Sequence, residues 1–355
     1  MNKILDLYIN YLICSNGKAT ATGLSKMTNG DVSHDQITKY LSSCEHGDEE
    51  LWWEIQDLME YRKEEECCLI IDDTIAEKPY TDINTINTWH YSGLKGGYVK
   101  GINILTCLAQ YEDASIPINY RVIGKDKEYI DPKTQEKKLK ASKTKNELFR
   151  ELLGISVTKS INFKHVLADN WFCSKENMNF IHNELKKLFI IGIKSNRLVA
   201  LSGEDKKKEL YHKVSELEIQ DGEAITVFVK GVKYPLLLIK KVFTNENGST
   251  GTLYLVTNDV KLSGSEIYKI YQKRWKIEEY HKSIKQNASL CKSPTKKMKT
   301  QKNHIFASVC AFLRLEMLKL KSLMNHFAIK EKILIFANKA SFENLQKMLY
   351  SYDLA

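Results

Sequence analysis

A chain of 355 residues, 43% hydrophobic and 27% charged, has globular composition and enough length for two or three domains. Its 17 Gly and 5 Pro exclude a collagen-like or low-complexity chain, and no apolar run approaches the roughly 18 residues of a membrane span. Met1–Ser15 carries Lys3, Asp6 and Asn10 among its apolar residues, which argues against a signal peptide. The eight cysteines include no C-x-x-C pair, so a reducing cytosol without disulfides is expected and a zinc site is not. The net charge of +9 is concentrated: residues 261–302 hold twelve Lys or Arg against three Glu, whereas residues 1–66 hold six cations against thirteen acids. Such a basic block is either the footprint of a polyanion, nucleic acid first, or a solvated lysine-rich helix.

Residues 1–66 read as a helical domain. Ile4, Leu5, Tyr8, Ile9, Leu12 and Ile13 keep helical spacing. A short helix over 22–27, a turn at Thr28-Asn29-Gly30 and a helix over 34–42 capped by Ser33 follow. This order suits a DNA-binding helix-turn-helix or any small three-helix unit. From Cys67 the pattern turns to strands: 67–71, 98–111 and 116–123. A charged loop over 125–145, a helix from Asn146, a strand over 164–168, a helix over 174–188 capped by Ser174 and a strand over 189–193 complete the first part of a core, residues 67–196. Residues 197–258 read as a β-rich insertion with strands at 224–229, 234–242 and 252–257 and a turn at 245–248. Ser263 and Glu266 open a helix to about Leu290. A basic loop over 291–301 and a helix over 304–324 close the core, residues 259–324. One or two small helices, with Ser341 as a cap, fill the tail, residues 325–355. The fold class expected is α/β, with a mixed sheet.

Three acids stand out. Asp73 and its neighbour Asp72 follow the apolar run Leu69-Ile70-Ile71, Asp169 follows Val166-Leu167-Ala168, and Glu278 lies in the basic helix. Acids at the ends of buried strands are costly unless paired or bound to a cation. Two on neighbouring strands and a third from a crossing helix would give the oxygen-rich ligand set that Mg²⁺ takes, with Mn²⁺ as the alternative. Each acid also has a plain reading: an Asx turn at 72–73, a loop cap at 169, a surface ion pair of Glu278 with Arg274 or Lys282. Tyr271, Arg274, Glu278, Lys282 and Lys285 would fall within about 80° of one helix face. That face suits a metal ligand flanked by phosphate clamps, with Tyr271 or Trp275 either stacked on a displaced base or packed in the core. Lys292, Lys296, Lys297 and Lys299 would extend the phosphate track or form a solvated loop.

The spacing of Tyr271, Arg274, Glu278 and Lys285 resembles the YREK signature of DDE transposases of bacterial insertion sequences, the IS-four superfamily. Asp73-Thr74 and Asp169 match the positions of that family's first two acids, and the resemblance covers roughly residues 67–320. It implies an RNase H-like core, a Mg²⁺-dependent transposase with Asp73, Asp169 and Glu278 as catalytic and metal-binding residues, and DNA contacts from Tyr271, Arg274, Trp275, Lys282 and Lys285. It further implies a homodimer synapsing double-stranded DNA at terminal inverted repeats and a target, and a cytoplasmic, nucleoid-associated protein without membrane contact. A structure-selective nuclease without strand transfer and a non-catalytic DNA-binding protein are the competing readings.

Overall fold

In a computed structural model, residues 2–93, 95–132, 134–245 and 248–352 are described. The chain opens with α1 (Lys3–Cys14), α2 (Ala21–Met27), α3 (His34–Ser43) and α4 (Asp48–Tyr61). The starts of the first three are set by side-chain caps: Asn2, Thr20, and Ser33 in a reciprocal capping box with Gln36. The turn after α2 places Asn29 and Gly30 at positive φ, a conformation that Asn and Gly tolerate best.

Next come β1 (Cys67–Glu77), β2 (Asn87–Ser92), β3 (Gly97–Gln110) and β4 (Ser115–Val122). The first strand is longer than expected. It runs through Asp72 and Asp73 instead of stopping before them, so neither sits in a terminal Asx turn. β2, with its mixed sequence Asn-Thr-Trp-His-Tyr-Ser, carries no clear apolar alternation and was not foreseen. The expected loop at 125–145 contains a hairpin, β5 (Lys127–Ile130) and β6 (Lys137–Lys140). Backbone pairing and the 2.6 Å Lys138–Asp131 ion pair hold it, and neither leaves an apolar signature in the sequence.

α5 (Lys145–Thr158), β7 (Phe163–Ala168), α6 (Lys175–Asn179) and β8 (Leu188–Gly192) follow, with a π turn at Phe180–Glu184 continuing α6. β9 (Leu198–Ala200), α7 (Gly203–Lys207), β10 (His212–Lys213), β11 (Ala224–Val229), β12 (Leu236–Thr244) and β13 (Thr250–Thr257) form the β-rich region. Of its expected turn at 245–248, Glu246 and Asn247 lie outside the described residues. The single helix expected from Ser263 to Leu290 is two, α8 (Gly264–Gln272) and α9 (Trp275–Gln286). Four tight i→i+3 bonds, from the N–H groups of Lys273, Arg274, Lys276 and Ile277, join them, with no Gly or Pro to announce the break. α10 (Met298–Ser322) begins six residues earlier than expected, and α11 (His326–Tyr352) is one long helix. Ser341 lies inside it, its hydroxyl donating to the Ala337 carbonyl four residues back, and caps nothing. Among the described residues no helix is long and apolar enough to cross a membrane.

Two units carry these elements, each with its own core. The larger comprises 55–75 and 85–279. Its mixed sheet runs β10-β9-β11-β12-β13-β8-β7-β1-β3-β2, with β4 also on β3. β1, β7 and β8 are parallel; β4 lies antiparallel on β3. The succession β4-β3-β1-β7-β8, with α5 packed on β3 and β4, is the RNase H-like core. β9 to β13 prolong the same sheet beyond β8 through antiparallel pairs. β1 and β7 are buried along their apolar runs (Leu69–Ile71, Val166–Ala168), as parallel strands covered on both faces must be. The smaller unit comprises 1–54, 76–84 and 280–355. In it α10 packs against α1, α3 and α11, burying Tyr8, Ile9, Leu12, Ile37 and Phe306.

Candidate active site

The register of two parallel strands decides which acids meet. On β1 and β7, Ile71 stands beside Ala168. One residue further comes Asp72, still within β1, on one side and Asp169, just past the end of β7, on the other. Asp73 is a further step on, and successive strand residues point to opposite faces. Its carboxylate accepts from Lys145 Nζ, at the first turn of α5, through both oxygens at 2.8 Å. Lys145 sits there because Thr144 and Glu147 form the capping box that starts α5.

Asp72 has different company. One of its carboxylate oxygens lies within 4.8 Å of one from Glu278, on the first turn of α9. The guanidinium of Arg274, in the tight turn between α8 and α9, stands 3.6 Å from Asp72 and 3.4 Å from Glu278. Asp72 Oδ1 also accepts the Asp73 N–H at 2.8 Å. Burial pushes the Asp72 carboxyl up to about 7, and the nearby charges of Asp169, Asp73 and Glu278 add to the rise. Asp169 is raised too, chiefly by burial and against the pull of Arg274, while its Oδ1 accepts the Trp171 N–H at 3.0 Å. Burial opposes the Arg274 charge, but Tyr271, Asp72 and Glu278 more than offset it and hold the guanidinium above its ordinary value.

The cluster therefore gathers partly buried carboxylates, with Asp72 and Asp169 held above their ordinary proton affinity and Arg274 beside Asp72 and Glu278. Carboxylate oxygens drawn from a strand and a helix, Asp72 with raised proton affinity and Glu278 within 4.8 Å of it, are hard donors of the kind a divalent cation takes. By donor chemistry Asp72 and Glu278 fit such an ion; Asp169, just past the end of β7, is a third partly buried carboxylate near them but lies outside the group whose oxygens come within 4.8 Å of one another. Asp73, with both oxygens engaged by Lys145, fits less well.

The other expected site residues divide. Tyr271 is only 7% exposed. Its hydroxyl donates to the Ala168 carbonyl at 3.4 Å, immediately before Asp169, and lies 3.4 Å from where a Cβ on Gly192 would project. It braces β7 against α8 and offers no open ring for a base. Trp275 is 63% exposed beside Arg274, whose guanidinium lies 5.4 Å from its ring. Because α8 and α9 are separate helices, the five residues do not share one continuous stripe; only Glu278, Lys282 and Lys285 are on α9. Lys282 is exposed and lies 5.1 Å over the Phe327 ring, and Lys285 is half-buried. Part of the basic loop is engaged internally: Lys299 pairs with Glu45 at 2.9 Å, and Lys292 donates to the carbonyls of Ser15 and Asn16 at 3.4 Å.

Sequence reasoning missed Lys145 and Trp171. The exposed Trp171 ring has Lys145 and Lys194 at 5.6 and 5.7 Å from its centroid. Its position two residues after Asp169 was the available signal. The family pattern described as DDE superfamily endonuclease matches residues 2–213. That stretch takes in the N-terminal helices, Asp72, Asp73 and Asp169 and ends before Glu278. A search of the curated proteins returns no significant match.

Proposed function

The chain belongs to the DDE superfamily endonucleases, and we propose that it is a DNA transposase of the insertion-sequence type carrying the YREK signature at Tyr271, Arg274, Glu278 and Lys285. The observation that carries this reading is the convergence of Asp72 and Glu278 around Arg274, with Asp169 one strand away at the same level as Asp72.

In this reading Asp72, Asp169 and Glu278 hold Mg²⁺, with Mn²⁺ as a substitute. Divalent cations bound there supply activation of a nucleophilic oxygen and charge stabilisation on the leaving oxygen. The protein's own groups do the rest. Tyr271 fixes β7 so that Asp169 stays aimed at the sheet edge. Arg274 balances part of the carboxylate charge and can turn its guanidinium to the incoming phosphate. Lys145 keeps Asp73 occupied, so that β1 presents Asp72. Lys282 and Lys285, four and seven residues beyond Glu278, contact backbone phosphates without reading bases. Trp275 offers the exposed ring beside Arg274.

Water adds to the phosphorus at the element end and the 3′ oxygen leaves as a hydroxyl. That hydroxyl then attacks a target phosphodiester, displacing the target's own 3′ oxygen, so each step exchanges one P–O bond for another. Two ends brought together imply a homodimer on terminal inverted repeats and target DNA, in the nucleoid of the cytoplasm. The larger unit, residues 55–75 and 85–279, carries the catalytic acids and the β-rich insertion 197–258, and the smaller unit, residues 1–54, 76–84 and 280–355, carries the N-terminal helices as a DNA-binding element.

The test is to incubate the full chain with Mg²⁺, a duplex bearing the inverted repeats that flank its gene, and a target plasmid. Cut ends joined to the plasmid are the expected product. Cutting without joining would leave a structure-selective nuclease, and binding without Mg²⁺-dependent cutting would end the enzymatic reading.

A further inference from the structure

Between β4 and α5 the chain leaves the main sheet as the ribbon β5–β6, and both ends of that excursion are fixed. The Tyr111 hydroxyl, at the turn into β4, hydrogen-bonds to the Cys67 sulfur at the start of β1. β4 runs from there, so it leaves the sheet at the end where β1 carries Asp72 and Asp73. The chain comes back at Lys145, whose ammonium holds Asp73 at 2.8 Å. Ser142 closes the base of the ribbon: its N–H and hydroxyl donate to the two carboxylate oxygens of Asp126 at 2.8 and 2.9 Å. Lys125 ties the same base to β2 by donating to the Trp89 carbonyl at 2.9 Å. The ribbon is thus anchored beside the acid cluster, yet among the described residues β5 and β6 pair with no other strand.

A lone two-stranded ribbon is marginal in water, and this one is built against its own stability. Its register puts Lys127 opposite Lys140 and Tyr129 opposite Lys138. Residues two apart on a strand share a face, so one face carries Lys127, Tyr129, Lys138 and Lys140. Asp131 engages Lys138 at 2.6 Å, and Lys140 stands 5.2 Å over the Tyr129 ring. Lys127 and Lys140 still set like charges directly opposite each other, which weakens a ladder. Residues 125–145 together hold eight Lys against four acids. A cationic face that costs the ribbon stability is accounted for by a polyanion that covers it.

We propose that β5–β6 is an arm that enters the major groove of the duplex beside the scissile phosphate, with Lys127 and Lys140 on the phosphates; the proposal rests on the nuclease reading of the acid cluster. Four residues per strand reach roughly 13 Å. The groove is about 8.5 Å deep, and its width of about 12 Å admits a two-stranded ribbon. From opposite strands at one level, the two ammonium groups splay to the two phosphate walls, which relieves their repulsion. Such contacts read no base but fix the register and orientation of the duplex, so that one phosphate, and not the next, lies over Asp72 and Glu278.

The test measures binding in EDTA, where no cutting occurs. The full chain is titrated over a range of salt with a duplex bearing the inverted repeats that flank its gene. Dimethyl sulfate then probes guanine N7, in the major groove, and adenine N3, in the minor groove. The double variant Lys127→Gln, Lys140→Gln should bind about tenfold more weakly, lower the slope of log affinity against log salt by about 2, and uncover guanines that the wild type protects. Lys127→Glu places an acid opposite Lys140. It should keep or raise the melting temperature while weakening DNA binding, a divergence that a folding defect does not produce. An unchanged salt slope in the double variant would overturn the proposal, and so would wild-type protection confined to adenine N3. A double variant that aggregates but binds DNA as the wild type does would also overturn it, leaving the lysines as guards against edge-to-edge strand pairing. A chain whose ribbon lysines carry DNA affinity yet which never cuts with Mg²⁺ keeps the arm and loses the nuclease reading. One that cuts while the double variant keeps its salt slope loses the arm alone.

Discussion

The edge of the parallel sheet and the core of the helical unit both bury polar groups, and they do it in opposite ways. In the helical unit His304 is 2% exposed and every polar atom of its ring has a partner. Nε2 donates toward the carbonyls of Ser289 and Leu290 at 3.0 and 3.2 Å, which leaves Nδ1 to accept from the Tyr8 hydroxyl at 2.9 Å. Burial, with Lys78 adding to it, lowers the His304 pKa to about 4, so the ring stays neutral. At the sheet edge Asp72 and Asp169 are partly buried carboxylates whose proton affinity burial and neighbouring acids raise, with Arg274 beside Asp72. A neutral, fully paired polar group ties α1 to α10 and the loop before it. Partly buried carboxylates held above their ordinary proton affinity cost stability, and what they offer in return is affinity for a cation.

The largest effect should separate the two regions by kind. Asp72→Asn and Glu278→Gln should each lower Mg²⁺-dependent cleavage by roughly a thousandfold or more. Asp72→Asn should not destabilise the metal-free protein near neutral pH, because it removes a carboxylate whose charged form burial and neighbouring acids disfavour. Mg²⁺ should raise the melting temperature of the wild type and leave Asp72→Asn unmoved. Thermal melts with and without Mg²⁺, beside a cleavage assay, read all three. A large loss of stability in metal-free Asp72→Asn would show that the carboxylate is structural.

pH sharpens the same contrast, since the two shifts have opposite signs. Asp72 binds its proton more tightly in the folded state, so its contribution is present at low pH and fades as pH rises through about 7. His304 binds its proton less tightly when folded, so its contribution is full above about 6.5 and is lost as pH falls toward about 4. In EDTA, Asp72→Asn should remove the loss on the alkaline side. His304→Leu should cost about 2–3 kcal/mol near neutrality by stranding the Tyr8 hydroxyl and two carbonyls, and should flatten the acid limb. Urea melts at several pH values would detect either limb; an acid limb unchanged in His304→Leu would remove His304 as its source.

Within the sheet edge, Asp73 and Asp72 can be set against each other. Asp73→Asn frees Lys145 and should slow cleavage about tenfold, far less than Asp72→Asn, because Asp73 acts through its lysine and not on the scissile phosphate. Equal losses from the two changes would return the metal to Asp73.

How much of this was legible follows from where the information sits. Strands β1, β7, β8 and β11 were visible because parallel or central strands are apolar throughout, and Ser33, Ser174 and Ser263 were visible as caps because capping is local. Asp169 and Glu278 could be singled out by an acid's improbability beside a buried run. The choice between Asp72 and Asp73 could not, because it depends on the register between β1 and β7, a relation across 97 residues of chain that neither segment states alone. The α8–α9 break was hidden for a similar reason: Lys273 and Arg274 are ordinary helix residues, and the local hydrogen bonding at the turn, with Arg274 drawn toward two carboxylates, replaces any Gly or Pro. Ser341 failed as a cap because serine tolerates a helix interior when its hydroxyl bonds back to the preceding turn.

The smallest effect lies in the helical unit and checks that its polar groups are stabilising by being satisfied. Ser33 accepts the Gln36 N–H at 3.2 Å, and the Gln36 side chain accepts the Ser33 N–H at 2.9 Å. Ser33→Ala should cost about 1 kcal/mol, and Ser33→Asp should restore it, since an acid at a helix N-terminus keeps the acceptor and adds a favourable charge. Cleavage at the sheet edge should be untouched by either change at a temperature well below the melt. If Ser33→Ala instead stabilised the chain, as Asp72→Asn is expected to, the distinction between a paired polar group and a crowded one would not be what separates the two regions.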